Sequence, residues 1–253
     1  MIQFLASHLP SAGVFTLLMF VAFLAGVLRG FSGFGAGLLI APVFSFFVTP
    51  ADIVVLIVVL NLCTTLQFLP DALKKVDWRL VLRLFLPSLV GIPLGIAFLQ
   101  VVDPQVMRKV IGGVVTLMAA LMLMGWYYDG KRGLIQDSAV GFTGGVLTSI
   151  GGIGGPPVIL YLLSDRKLGI DVFRAVSFVL FLLIQSCTLV QIAIGPGITT
   201  PQWVLVLALL PAYVLAHFVG DFLFRYVSGT YERMVKRVSL FTLLIIGLLA
   251  CLF

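Results

Sequence analysis

Apolar runs close to 20 residues long recur along the whole chain, separated by short segments that carry most of its charge. A helix rising 1.5 Å per residue needs about 20 residues to cross a hydrocarbon core of roughly 30 Å, so the pattern predicts membrane-spanning helices. The first run, from about 11 to 48, is interrupted by the stretch GVLRGFSGFGAGLLIAP, Gly26 to Pro42. Glycine clusters in membrane sequence mark broken helices or close packing, so two helical pieces are expected there. A helix over 52–69 follows, opened by Thr49-Pro50-Ala51-Asp52 with Asp52 as N-cap. Two more are expected, one running through Pro87, Gly91 and Pro93 to about 101 and one over 104–128. After a polar loop over 129–137 the pattern restarts with a second interrupted region over 138–164, then helices over 171–194, over 202–224 and from 231 onward.

The second interrupted region reads GVLTSIGGIGGPPVIL from Gly145 to Leu160, and it repeats the first. Gly26, Val27, Leu28, Gly33, Gly35 and Ile40 match Gly145, Val146, Leu147, Gly152, Gly154 and Ile159 without a gap, and the same register pairs Asp52 with Asp171. Allowing a short insertion, Asn61, Cys63, Thr64 and Gln67 fall on Gln185, Cys187, Thr188 and Gln191, and Pro87 falls on Pro211; one further residue of shift pairs Gly95 with Gly220 and Arg108 with Arg233. The chain therefore reads as two homologous halves, about 11–128 and 138–253, within a single transmembrane domain over 1–253.

Charge orients the halves. The connection holding Lys74, Lys75, Arg79 and Arg83 is strongly basic, whereas its counterpart over 195–201 carries no charge; the next pair of connections reverses the bias, with Arg225, Arg233, Lys236 and Arg237 in the second half. Positive-inside logic then puts equivalent loops on opposite sides, which demands an odd number of crossings per half. Three full helices supply them if each interrupted region enters and leaves by one face. The pieces of the second region, taken as about 11 to 13 residues, reach only about 17 to 20 Å and fit a re-entrant hairpin. The first piece of the first region is longer and fits a full span as well. The expected fold is an all-α integral membrane protein of two inverted-topology repeats, each a broken or re-entrant helical hairpin plus three transmembrane helices. Both termini are expected outside the cytoplasmic membrane.

Composition agrees: 61% of the 253 residues are hydrophobic and 10% charged, with mean hydropathy +1.20, against about 25% charged in soluble domains. The net charge of +6 sits mostly in connections and serves orientation. Cys63, Cys187 and Cys251 form no disulfide pattern, and no basic residue precedes Arg29, so a cleavable signal with a positive n-region is not expected.

Short helices starting at glycine-rich turns present free N–H groups and a positive dipole end, which suit an anion. The substrate-binding candidates are thus Ser32, Gly33, Gly35 and Gly37 in the first copy and Gly152, Gly154 and Gly155 in the second. Close helix packing is the alternative use of the same glycines. Arg29 beside the first turn either pairs with substrate, at an insertion cost of about 2.5 to 3.5 kcal/mol, or caps a helix at the cytoplasmic surface. Asn61, Thr64 and Gln67, with Gln185, Thr188 and Gln191, place uncharged polar groups inside two helices, as oxyanion ligands or as interhelical hydrogen bonds. His217 and Asp221, one turn apart, fit either proton coupling or a local pair of Asp221 with Arg225.

On these segments, GFSGFGAGLLIAP and SIGGIGGPPVIL, the chain resembles the TauE/SafE sulfite exporter family, also called the four-toluene sulfonate uptake permeases, over nearly its whole length. The first copy departs from the family's glycine pattern at Phe34 and Ala36, and the second has Pro156-Pro157 early and Tyr161 in place of Pro42. The resemblance implies transport of a small sulfur-containing anion such as sulfite or a sulfonate, with the lipid bilayer as the surroundings and no cofactor, metal, catalytic residue or nucleic acid. A passive anion channel would use the same site. An intramembrane enzyme or a nucleotide-driven pump is not expected, since the chain has no His/Glu metal pattern, no G-x-S-x-G and no phosphate-binding G-x-x-x-x-G-K-[ST].

Overall fold

The computed structural model describes residues 11–125, 128, 130, 133–163 and 168–226. Those residues form helices α1 (Ala12–Ser32), α2 (Ala36–Phe44), α3 (Pro50–Lys75), α4 (Trp78–Val101), α5 (Pro104–Leu123), α6 (Leu134–Gly151), α7 (Gly155–Leu162), α8 (Ile170–Ile194) and α9 (Thr200–Tyr226), and contain no strand. Six of the helices, α1, α3, α4, α5, α8 and α9, are long and apolar enough to cross a membrane. The protein is an all-helical, multi-pass membrane protein. The expected final helix, the Trp126-Tyr127 end of the helix before the central loop, and Lys131, Arg132, Arg233, Lys236 and Arg237 lie outside the described residues.

Local chemistry starts the long helices where the sequence places polar residues. The N-cap of α3 is Thr49 rather than Asp52: the Thr49 side chain accepts from the Asp52 N–H, and Asp52, three residues into the helix, accepts from the Thr49 N–H, a capping box around Pro50 that satisfies N–H groups no helical partner can reach. The Asp77 carboxylate accepts from the Arg79 and Leu80 N–H groups to start α4, and Asp103 accepts from Gln105 and Val106 to start α5. Connections of two residues between α3 and α4, and between α4 and α5, make each of these neighbours antiparallel.

Both interrupted regions are a long helix followed by a short one: 21 and 9 residues in the first, 18 and 8 in the second. The second long piece thus exceeds the 11 to 13 residues expected and reaches about 27 Å. It starts at Leu134 rather than 138, because Asp137, read from sequence as loop, is buried in the first turn of α6. There its carboxylate accepts a hydrogen bond from the Tyr161 hydroxyl of α7 and faces Arg83 of α4 at 3.7 Å.

Packing crosses between the halves. Gly26 and Gly30 of α1 lie on Tyr213, Ala216 and His217 of α9, so residue numbers rise together and the helices are parallel. Gly141 and Gly145 of α6 lie on Leu84 and Ser88 of α4 in the same parallel sense. Small residues four apart let backbones approach where lipid gives no hydrophobic drive to associate. In contrast, α3 and α8 run antiparallel, with Phe68 stacked on Phe178 (centroids 5.7 Å apart) and Lys75 paired with Asp171 at 3.1 Å. Helices α1, α3, α5 and α9 therefore point one way, and α4, α6 and α8 the other. One contact recurs at matched positions: a methyl group on Gly95 would press on the Val146 carbonyl oxygen and the Ser149 side chain, and one on Gly220 would press on the Val27 carbonyl oxygen and on Gly30.

Candidate functional site at the two helix breaks

Each break begins with a glycine in the left-handed region, Gly33 at φ 81° after α1 and Gly152 at φ 66° after α6, a backbone that other residues rarely adopt. Their N–H groups close the preceding helices by donating to the Arg29 carbonyl (2.7 Å) and the Thr148 carbonyl (2.8 Å). The breaks touch. A methyl group on Gly37, in the first turn of α2, would overlap the Gly152 carbonyl oxygen, and Phe34 packs beside Gly155. The glycines thus serve close approach of the two breaks.

Between the breaks lies a cavity of about 20 Å³ lined by Arg29, Phe34, Gly35, Gly37, Asn61, Thr148, Gly152, Ile153, Gly155, Pro156, Phe181 and Gln185, with Ala36 and Leu38. Such a volume holds about one water. Asn61 stands near the middle of the 26-residue α3 and Gln185 just past the middle of α8. Arg29 is 2% exposed, donates to the Thr65 hydroxyl at 2.7 Å and keeps its Nε buried without a partner. Among the described residues no carboxylate pairs with it. Arg29 is thus enclosed by protein rather than exposed at the helix end. The guanidinium is a desolvated cation, a costly arrangement unless an anion completes it.

Asn61 is 2% exposed, and its Oδ1 accepts a 2.7 Å hydrogen bond from the Tyr213 hydroxyl of α9. Gln185 is 4% exposed and its Oε1 has no donor. Thr148 donates its hydroxyl proton to the Gly144 carbonyl at 2.7 Å. Not every sequence candidate reaches the cavity. Thr64 and Thr188 are buried but donate back to their own helices, at Leu60 and Asn61 and at Ile184. Gln67 is exposed and Gln191 half-buried, and neither lines the cavity. Gly33 and Gly154 shape the breaks without lining it, and the Ser32 hydroxyl donates to the Leu28 and Phe34 carbonyls. Phe34, Thr148, Phe181 and Tyr213 were not among the sequence candidates. Tyr213 in particular left no local signal, since its partner is 152 residues away.

A second, wider cavity of about 200 Å³ opens toward the Lys75 end of α3, lined by Phe68, Asp71, Lys75, Asp171, Arg174, Phe178 and Asp221, with Ala72 and Ala175. The Phe68–Phe178 stack stands between it and the breaks, with Phe178 reaching Gly33. His217 is fully buried and lies edge-on to Phe68 at 5.1 Å. Asp221 pairs with Arg174 of α8 at 3.3 Å, and that guanidinium lies 4.0 Å over Phe224. The side chain of Arg225, the partner considered for Asp221 from sequence, is outside the described residues. No cluster of His, Cys, Asp or Glu able to hold a metal occurs among the described residues.

No curated protein and no solved structure matches the chain. A family profile does, over residues 18–250, which includes both breaks, Arg29, Asn61, Gln185 and the wider cavity. With nearly the whole chain inside that match, the protein belongs to the sulfite exporter TauE/SafE family.

Proposed function

We propose that the protein is a secondary transporter that binds a small sulfur-containing anion, of the sulfite or sulfonate type, in the cavity between the two breaks and exposes it alternately to the two sides of the cytoplasmic membrane. The observation that carries this reading is Arg29, a buried cation without a carboxylate partner among the described residues, opening on a cavity at the junction of two helix breaks. Its charge suits an anion, and the first turn of α2 adds N–H groups and a positive dipole end. Asn61 and Gln185 are the polar ligands in this reading; Gly35, Gly37, Gly152 and Gly155 let substrate reach backbone. Asp221 lines the wider cavity and His217 lies one turn away against Phe68, where a coupling proton would pass.

We further read the two halves as inverted repeats with re-entrant breaks. The matched contacts of Gly95 and Gly220, the antiparallel sense of α3 and α8, and the opposite senses of α1 and α6 support it. Alternating access then follows from rocking one half against the other around a fixed site. The basic end of α3 faces the cytoplasm in this reading, so the wider cavity is the cytoplasmic approach, closed by the Phe68–Phe178 stack.

Two measurements test it. Sulfite or alkanesulfonate uptake into proteoliposomes is expected to saturate and to speed up when the same anion is loaded on the far side; flux that is linear in concentration and shows no counterflow would make the protein a passive channel. Single cysteines at Val76 and Ile198 in a cysteine-free background are expected to react with an impermeant thiol reagent from opposite sides, and reaction from one side would remove the inverted topology.

A further inference from the structure

Helix α8 turns one face to both cavities. Arg174, Phe178, Phe181 and Gln185 stand at i, i+4, i+7 and i+11, which puts them in one stripe. Arg174 and Phe178 line the wider cavity, and Phe181 and Gln185 the cavity between the breaks. The inner cavity has room for about one water, whereas the wider one, at about 200 Å³, has room for a small oxyanion with part of its hydration.

Two ion pairs line the wider cavity, one solvated and one enclosed. Lys75 and Asp171 meet at its rim with 53% and 69% of their side chains exposed, where water screens the charges. Arg174 and Asp221 are 17% and 10% exposed. Their contact runs from a guanidinium nitrogen to a carboxylate oxygen at 3.3 Å, longer than the about 2.7–2.9 Å of a close charge-assisted bond. The guanidinium also lies over Phe224 and, at 5.7 Å, over Phe178 of the stack. Enclosed by rings, this cation feels its counter-ion far more than the rim pair does. Each cation lining the cavity already faces a carboxylate, so a free anion finds no vacant charge there. It has to exchange with one.

We infer that Arg174 is a second anion site, a waiting position on the route to the breaks, and that Asp221 is its resident counter-ion, which yields to the substrate by taking up a proton from the cavity. The inference rests on the reading above, that the ligand is a small anion reaching the breaks through the wider cavity. Protonation makes the exchange neutral: the enclosed wall keeps one cation and one anion, and the Asp221 carboxyl becomes a donor to the anion it admits. Around Asp221 the described charged and titratable groups are Arg174 of α8, His217 one turn earlier on α9, and across the cavity Asp71 and Lys75 of α3 and Asp171 of α8. Helix α1 meets it with the Gly30 backbone, and the one cation of α1, Arg29, acts on His217. Lys75 and Asp171 offset each other, and Asp71 has Lys74 at 3.9 Å, so Arg174 is the charge over which Asp221 and the substrate compete.

Methanesulfonate, which stays ionised throughout, is the probe, and its binding to the purified full-length protein is read by calorimetry. At neutral pH Asp221→Asn is expected to bind it roughly ten-fold more tightly than the wild type, because the competing charge is gone and the shape is kept. Wild-type affinity is expected to rise as pH falls, and Asp221→Asn to lose that dependence. Adding Arg174→Gln to Asp221→Asn is expected to abolish the gain, whereas adding Arg29→Gln leaves it in place. If Asp221→Asn folds poorly, methanesulfonate is expected to raise its melting temperature more than it raises that of the wild type. Absence of any gain in Asp221→Asn, in affinity or in melting shift, overturns the inference, and so does a gain that survives Arg174→Gln. If the gain is absent while Arg29→Gln alone loses transport, the reading of the breaks stands without this site. If the gain depends on Arg174 while Arg29→Gln transports as the wild type does, this site stands and the reading of the breaks falls.

Discussion

The two helix breaks share a glycine pattern and differ in nearly every polar group around the cavity between them. The first has Arg29 one turn before its left-handed Gly33; the second has neutral Thr148 at the matching position before Gly152. The first opens α2 through Gly35 at φ 93° with N–H groups following, whereas the second reaches α7 through Gly154 at φ −69° and then two prolines. The breaks share the scaffold, a left-handed stop and a restart, because backbone geometry allows few replacements there. They do not share the charge. A second desolvated guanidinium across the same small cavity would repel the first.

That contrast can be broken most forcefully at Arg29. Arg29→Gln is expected to lower anion affinity and transport by about two orders of magnitude, as removal of one member of a buried charged pair does. In the absence of substrate the same variant is expected to melt at the same or a higher temperature in detergent, since an unpaired buried charge has been removed. A loss of both transport and stability would mean that Arg29 holds the fold together rather than the ligand. Next in size is Gly37→Ala, which pushes the breaks apart at the Gly152 carbonyl; a destabilisation of about 1–3 kcal/mol is expected from overpacking, read as a lowered melting midpoint and reduced transport. Unchanged melting would show that the contact between the breaks can relax freely. The smallest effect is expected at the second break. Pro156→Ala returns one N–H to the head of α7 and should tighten anion binding by no more than a few-fold, in line with about 0.3–1 kcal/mol for a helix terminus. A large gain would mean that the two breaks contribute equally to the anion.

The architecture was legible from sequence to the extent that period and glycine pattern carry it. Spans, breaks and the start of α3 at Thr49-Pro50-Ala51-Asp52 follow from run length and capping chemistry. The start of α6 was not, because Asp137 looks like a loop residue until Tyr161 and Arg83 are seen around it. The site was half legible. Asn61 and Gln185 turned out to line the cavity, but Gln67 and Gln191, each six residues further along, sit about 240° round the helix and face elsewhere. Sequence alone does not say which of several polar stripes points inward when the surroundings are lipid and protein on different sides. Tyr213 and Thr148 were missed for a related reason: their roles depend on hydrogen bonds that spend particular atoms, and residue type does not reveal which atoms are left.

The crossed pairing of α1 with α9 and of α4 with α6 bears on how the protein is made. Helix α1 is synthesised nearly 170 residues before α9 begins, roughly 10 to 30 seconds at ordinary translation rates. Through that interval the glycine face of α1 has no partner from its own half, since α4 packs on α6 instead, and the Arg29 guanidinium has only the Thr65 hydroxyl of α3. The first half leaves the ribosome with its broken arm uncovered, so the insertion machinery or a neighbouring lipid must shelter Arg29 until the last third of the chain arrives. A chain ending before α9 would stay in that condition.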